Sequence, residues 1–261
     1  MWTDALTPVR WVYRSVLLIL LCLVGLLPTV VLQGRFGQAR LWRGRSLAEH
    51  SLMAFSGGVC RVFGLRPRVH GKPLPGPVLI TANHIAWLDI ELLHSAGAMS
   101  FVGKAEIARW PLLGFLAARG GTIFHRRGSH DSAAGVAGVM TAKLAEGSRV
   151  AVFPEGGILP GEDIKRFHAR LFKVPVEAGC PIQPVMIRYV RDGRRDPGTT
   201  FLPGENLVVN SIRLMGRPAC DAELWFLPPY TVEDRSRREL AAVAEQAITA
   251  AYEQPIGTDG V

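Results

Sequence analysis

The chain has 261 residues, 30 Lys and Arg against 22 Asp and Glu, a formal net charge of +8 and a pI near 9.8. That length suffices for one sizeable domain with its own core, and the basic balance favours anionic partners without choosing among nucleic acid, lipid headgroups and phosphorylated substrates. Cys22, Cys60, Cys180 and Cys220 form no CxxC pair and no zinc-type spacing with histidines, which excludes a zinc module and favours buried thiols in a reducing compartment.

Hydrophobic residues make up 48% of the chain, and the excess is local. Residues 16–32 read VLLILLCLVGLLPTVVL, without a charge. Extended back through Trp11, Val12 and Tyr13, the run reaches the ~20 residues that an α-helix needs to cross a bilayer core. Pro28 near its end is a place for a kink or a stop. A cleavable signal peptide is the rival reading, but residues 29–34 (TVVLQG) offer no convincing small-x-small site. Arg10 and Arg14 precede the run, and Arg35, Arg40, Arg43 and Arg45 follow it. This predicts a membrane protein with its downstream domain facing the cytoplasm, whether the run spans or is re-entrant. Residues 41–63 read as a second, amphipathic helix, with Trp42 among arginines as an interfacial anchor.

Strand and helix signals then alternate. Residues 78–82 (VLITA) read as a buried strand, 87–97 as a helix, 101–103 as a short strand, 111–119 as a helix and 122–125 as a strand. Residues 132–146 form a predicted long helix, 150–153 a strand, 167–178 a helix and 182–189 a strand. After a polar loop, 206–215 looks helical, 222–227 a strand and 233–252 a polar amphipathic helix. The pattern predicts an α/β fold with a mostly parallel central sheet flanked by helices.

The stretch Asn83-His84-Ile85-Ala86-Trp87-Leu88-Asp89 follows the VLITA strand directly, and open α/β sheets present ligand sites at strand C-termini. Asp89 can accept a hydrogen bond from one imidazole nitrogen of His84, which leaves the other as a base for an alcohol. Taken alone, a His five residues before an Asp is more often a surface or capping pair. The chain has no G-x-S-x-G elbow, so direct attack by a substrate hydroxyl is expected. Three later segments strengthen the site. Arg119–Arg127 (RGGTIFHRR) ends in arginines whose forks match phosphate oxygens. Phe153-Pro154-Glu155-Gly156-Gly157 puts a glutamate and permissive glycines at a strand end. Gln183-Pro184-Val185 opens another core strand. Each has a plainer reading as a basic loop, a turn or a strand start.

In order and spacing, NHIAWLD, GGTIFHRR, FPEGG and QPV resemble the glycerolipid acyltransferase family, the group containing bacterial 1-acylglycerol-3-phosphate acyltransferases. The resemblance covers roughly residues 77–188. It implies His84 as general base, Asp89 as its partner, Arg126 on the acceptor's phosphate, Glu155 and Gly156 in the acceptor-binding block and Pro184 on the acyl-donor side. Lys104 is a further candidate phosphate contact. It also implies acyl-CoA or acyl-acyl carrier protein as co-substrate, and no metal or prosthetic group. The expected acceptor is a lysophospholipid, 1-acylglycerol-3-phosphate first. The family's polar residues after FPEG are replaced by Gly157-Ile158-Leu159, which keeps lyso-ornithine lipid open as an alternative. A non-catalytic lipid-binding relative and a thioesterase are rival readings. No zinc-finger, helix-turn-helix or RNP-like pattern supports a nucleic-acid partner. The resulting division is residues 1–64 for a membrane anchor and interfacial helix, 65–255 for the catalytic domain and 256–261 for a short flexible tail.

Overall fold

The computed structural model describes residues 4–257 except 40, 110–112, 126–129 and 159–162. The apolar run is one helical rod, Thr7–Leu32, long and apolar enough to cross a membrane. It comprises α1 (Thr7–Leu20), a π-helical stretch (Leu21–Leu26) and α2 (Leu27–Leu32). The π turns immediately precede Pro28, which cannot donate to the carbonyl four residues back and crowds it; the wider turns absorb that misfit. Pro28 therefore does not stop the helix.

After α3 (Arg35–Ala39), β1 (Leu41–Trp42) and β2 (Arg45–Ser46) form a small antiparallel hairpin. Arg43 and Gly44 at its tip have φ of 50° and 78°, as a tight two-residue turn requires. The second helix thus starts later than its periodicity suggested, as α4 (Leu47–Val62), with Ser46 Oγ capping the Glu49 N–H at 3.1 Å. Helix α4 runs antiparallel along the apolar rod. Gln33 Nε2 donates to the Ala48 carbonyl at 3.1 Å. Farther along, Gly25 faces Phe55, Gly58 faces Leu21 and Gly64 faces Arg14.

The remaining strands are β3 (Leu65–His70), β4 (Val78–Ala82), β5 (Ser100–Lys104), β6 (Ile123–His125), β7 (Arg149–Val152), β8 (Ile182–Arg191), β9 (Arg194–Arg195) and β10 (Cys220–Phe226). They form one sheet in the order β3-β10-β8-β4-β7-β5-β6, with β9 hairpinned onto β8. All neighbouring pairs are parallel except β8 with β10 and β8 with β9. The other helices are α5 (Leu88–Ala96), α6 (Leu113–Arg119), α7 (His130–Ala145), α8 (Lys173–Ala178), α9 (Leu207–Gly216) and α10 (Arg237–Glu253).

Strand alternation divides the core in two. Val78, Ile80 and Ala82 pack with Val59 and Cys60 of α4 and Leu92 of α5 on one face. Leu79, Val150 and Val152 pack with Met140 of α7 and Leu240 and Ala244 of α10 on the other. Burying apolar area at about 25 cal/mol per Å² on both faces is what holds a parallel sheet. The single helix expected over 167–178 is instead a 3₁₀ turn, Ala169–Phe172, followed by α8. The restart leaves Pro175 in a first turn, where its missing N–H costs nothing.

Candidate active site

Central strand β4 ends at Ala82, and the chain turns sharply before α5. Asn83 fixes this turn to the neighbouring strand β8 like an extra rung: its Nδ2 donates to the Ile187 carbonyl at 2.9 Å and its Oδ1 accepts the Ile187 N–H at 2.8 Å. The Asp89 side chain is fully buried in the first turn of α5. Its Oδ2 lies 2.9 Å from His84 Nδ1 and accepts the Ile85 and Ala86 N–H groups at 2.7 and 2.9 Å. Its Oδ1 accepts the Tyr189 hydroxyl at 2.5 Å. Both carboxylate oxygens are therefore engaged, and the side chain reaches back to organise the turn that carries His84.

The imidazole is stacked on Phe153, ring centroids 3.8 Å apart and 10° from parallel. His84 opens onto a cleft that it shares with Ile85, Glu155, Tyr189 and Arg195. With Nδ1–H donated to Asp89, Nε2 carries the lone pair. Burial and the neighbouring Asp89 carboxylate hold the Tyr189 phenol well above its ordinary range, so it stays a donor.

Glu155, in the turn three residues past β7, spends both carboxylate oxygens on backbone. Oε1 accepts the His84 N–H at 2.7 Å and Oε2 the Lys165 N–H at 3.0 Å. It braces the turn beneath the histidine and joins it to the segment after residue 162. Burial raises its pKa against the pull of those two N–H groups. Gly156 has φ of 81°, and a β-carbon there would sit 3.2 Å from the His168 ring, so glycine suits the position on both counts.

Pro184 lies inside β8, opposite Thr81 of β4, below the turn rather than beside the imidazole. Lys104 is the last residue of β5, paired with His125. Arg126 lies outside the described residues. His84, Asp89 and Glu155 are thus brought into direct hydrogen-bonded contact. Sequence reasoning missed Tyr189 and Asn83, whose partners lie about a hundred residues away. No group of three or more His, Cys, Asp or Glu side chains suited to a metal occurs among the described residues.

The family model described as Acyltransferase matches residues 66–188. The lyso-ornithine lipid O-acyltransferase of Pseudomonas aeruginosa is 37% identical over 194 residues, 73% of each chain. The chain belongs to the acyltransferase family. This acyltransferase is also 34% identical, over 122 residues, to the 1-acyl-sn-glycerol-3-phosphate acyltransferase of Neisseria gonorrhoeae, covering 46% of this chain and 48% of that one. Its fold matches the crystal structure of the 1-acyl-sn-glycerophosphate (LPA) acyltransferase PlsC from Thermotoga maritima. The TM-score is 0.66 at 20% identity, over 94% of this acyltransferase and 96% of that chain.

Proposed function

We propose that this acyltransferase moves a fatty acyl group from a thioester, acyl-CoA or acyl-acyl carrier protein, to the free hydroxyl of a lysolipid, with His84 as general base. The observation that carries this reading is the His84–Asp89 contact at 2.9 Å, in which a buried, fully hydrogen-bonded carboxylate holds Nδ1 of an imidazole that lines the cleft and so leaves Nε2 to act as the base. In the reaction, Nε2 takes the proton of the acceptor hydroxyl as its oxygen attacks the thioester carbonyl. The tetrahedral intermediate collapses with cleavage of the C–S bond. The departing thiolate takes the proton back from the imidazolium, and ester and free thiol result. Asp89 stabilises the transient imidazolium. The thioester is already an activated acyl group, so the balance calls for no metal or prosthetic group.

Lyso-ornithine lipid is the acceptor this reading favours. The relative named for it aligns over 73% of the chain, against 46% for the one named for 1-acyl-sn-glycerol-3-phosphate, and Gly157-Ile158-Leu159 lacks a hydroxyl or a cation. Arg126, with Lys104 as a second cation, would hold the acceptor's anionic group, a carboxylate or a phosphate. Gly156 would line the acceptor side and Pro184 the donor side. Acceptance of 1-acylglycerol-3-phosphate is the second reading, supported by the 34% match and the Arg126-Arg127 pair. The enzyme would work at the cytoplasmic face of the inner membrane, where its apolar rod meets a lipid acceptor. Mass spectrometry after incubation with a panel of lysolipids and both donor types tests this. Acylated lyso-ornithine lipid as the main product supports it. Free fatty acid formed regardless of acceptor would make the protein a thioesterase instead.

A further inference from the structure

Helix α9 is short, apolar and half uncovered. Asn206 caps its first turn, Oδ1 to the Val209 N–H at 3.0 Å. Its inner face buries Asn210, Leu214 and Met215, while Val208, Val209 and Ile212 are 66, 49 and 53% exposed. Its only charged side chain, Arg213, is turned away from that outer face. It pairs with Glu205 at 2.6 Å and donates to the Thr200 carbonyl at 2.7 Å. The outer face therefore carries three branched apolar side chains and no charge.

What adjoins it is the apolar rod. Trp11 Nε1 donates to the Ile212 carbonyl at 2.8 Å. Arg14, 2% exposed, donates to the carbonyls of Leu214, Met215 and Arg217 at 3.2, 3.0 and 2.8 Å. Arg10 reaches the Gly216 carbonyl at 3.2 Å. Three side chains of α1 thus cap the C-terminus of α9, where free carbonyls and the helix dipole favour cations. A β-carbon on Gly216 would press on the Trp11 indole at 2.7 Å, so the α9 backbone lies directly against that side chain. From this junction the rod presents its own exposed stripe, Val9, Val12, Val16, Leu20, Leu23 and Leu27, at the three- and four-residue spacing of one helix face. The uncovered face of α9 thus adjoins the N-terminal end of the apolar rod.

We infer that α9 inserts its Val208–Val209–Ile212 face into the same leaflet that receives the apolar rod, as a second, shallow membrane contact. This rests on the membrane seat proposed above for the rod. An apolar face buried about 5–10 Å into the headgroup and acyl boundary is the usual position for such a helix. The contact matters for the reaction because α9 also holds the catalytic turn: Trp87 Nε1 donates to Asn210 Oδ1 at 3.1 Å. Lipid under α9 therefore sets the height of His84 above the leaflet in which a lysolipid acceptor resides.

The test uses the full chain in vesicles of phosphatidylethanolamine and phosphatidylglycerol, with Cys22 replaced by Ala and the buried Cys60, Cys180 and Cys220 retained. A nitrobenzoxadiazole label is placed in turn on Val208→Cys, Ile212→Cys, Leu23→Cys and, as a solvent control on α10, Arg238→Cys. The expected result is blue-shifted emission at 208, 212 and 23, quenched by lipids nitroxide-labelled near the headgroup. Iodide should quench the labels at 208 and 212 at least fivefold less than the one at 238. Lipid quenching at 23 with iodide quenching at 208 and 212 equal to the control would overturn the insertion of α9 alone. Loss of lipid quenching at 23 as well would overturn the membrane seat of the rod. Protection from iodide at 208 and 212 without lipid quenching would mean that a second copy of the chain covers the face, and would overturn the proposal too.

Discussion

At the scale of single residues, the proposed proton transfer depends on how Asp89 distributes its two oxygens. Oδ2 faces three donors, His84 Nδ1–H and the Ile85 and Ala86 N–H groups, and Oδ1 faces the Tyr189 hydroxyl. An amide at position 89 keeps the shape but has one accepting oxygen, so the imidazole loses the partner that sets its tautomer. Asp89→Asn is expected to lower kcat by about 10²–10⁴-fold with little change in the acceptor KM; steady-state kinetics on detergent-solubilised enzyme checks this. Tyr189→Phe removes one charge-assisted hydrogen bond from a carboxylate that remains otherwise engaged. Such a bond is worth about 1.5–3 kcal/mol, so kcat should fall roughly tenfold or more, again with acceptor KM unchanged. An unaltered kcat would reduce Tyr189 to a packing residue. The His84–Asp89 pair could be read from its local sequence because both partners lie within one turn and the next helix. Tyr189 could not: it sits in a strand, IQPVMIRYVR, whose near-unbroken apolar pattern signals burial and nothing about a hydroxyl aimed at a carboxylate a hundred positions earlier. Glu155 stood out by its place at a strand end, but its hydrogen bond to the His84 N–H belongs to the pairing of β4 with β7.

At the scale of elements, α9 is held by ion pairing at one end and by capping at the other. The Arg213 guanidinium, the chief influence on Glu205, holds that carboxylate down to about 2, from an ordinary value of 4.5. The unfolded chain therefore binds more protons than the folded one between those values, and the pair's stabilisation, complete above about pH 4.5, is lost as pH falls toward 2. The stability difference between the native protein and Glu205→Gln, followed by thermal unfolding, should shrink over that interval and stay level above it. At the other end, Arg14→Ala strips the last α9 carbonyls of their buried donor and should lower stability by about 1.5–3 kcal/mol; a melting temperature matching that of the native chain would contradict this. The long apolar helix, α4, α5, α7 and α10 and the central strands were legible because their hydrophobic period is sustained. β3 was not: Arg66, Pro67 and Arg68 disguise an edge strand that pairs with β10, where Arg66 and Arg68 meet Asp221 at 2.8 and 3.3 Å. The β1–β2 hairpin was hidden by apolar residues at helical spacing, and the left-handed Arg43-Gly44 turn decides against the helix.

At the scale of the whole molecule, the apolar rod and the turn that carries His84 are parts of one packed body. α4 lies between the apolar rod and the sheet, contributing Val59, Cys60 and Val62 to the same core as Leu88 and Leu92 of α5, the helix that carries Asp89. Arg149 of β7 reaches across to Glu49 at the start of α4 at 3.1 Å. This arrangement suits a reaction in which a lipid hydroxyl must meet a thioester at a fixed height above a leaflet, since positioning supplies much of the rate. In the proposed chemistry the imidazole of His84 takes the proton of that hydroxyl. The most direct test of that step is kcat/KM for acyl transfer to the best lysolipid acceptor by His84→Ala, with circular dichroism confirming a native fold. A fall of about 10²–10⁴-fold is the expected outcome; activity within a few-fold of the native enzyme would contradict it.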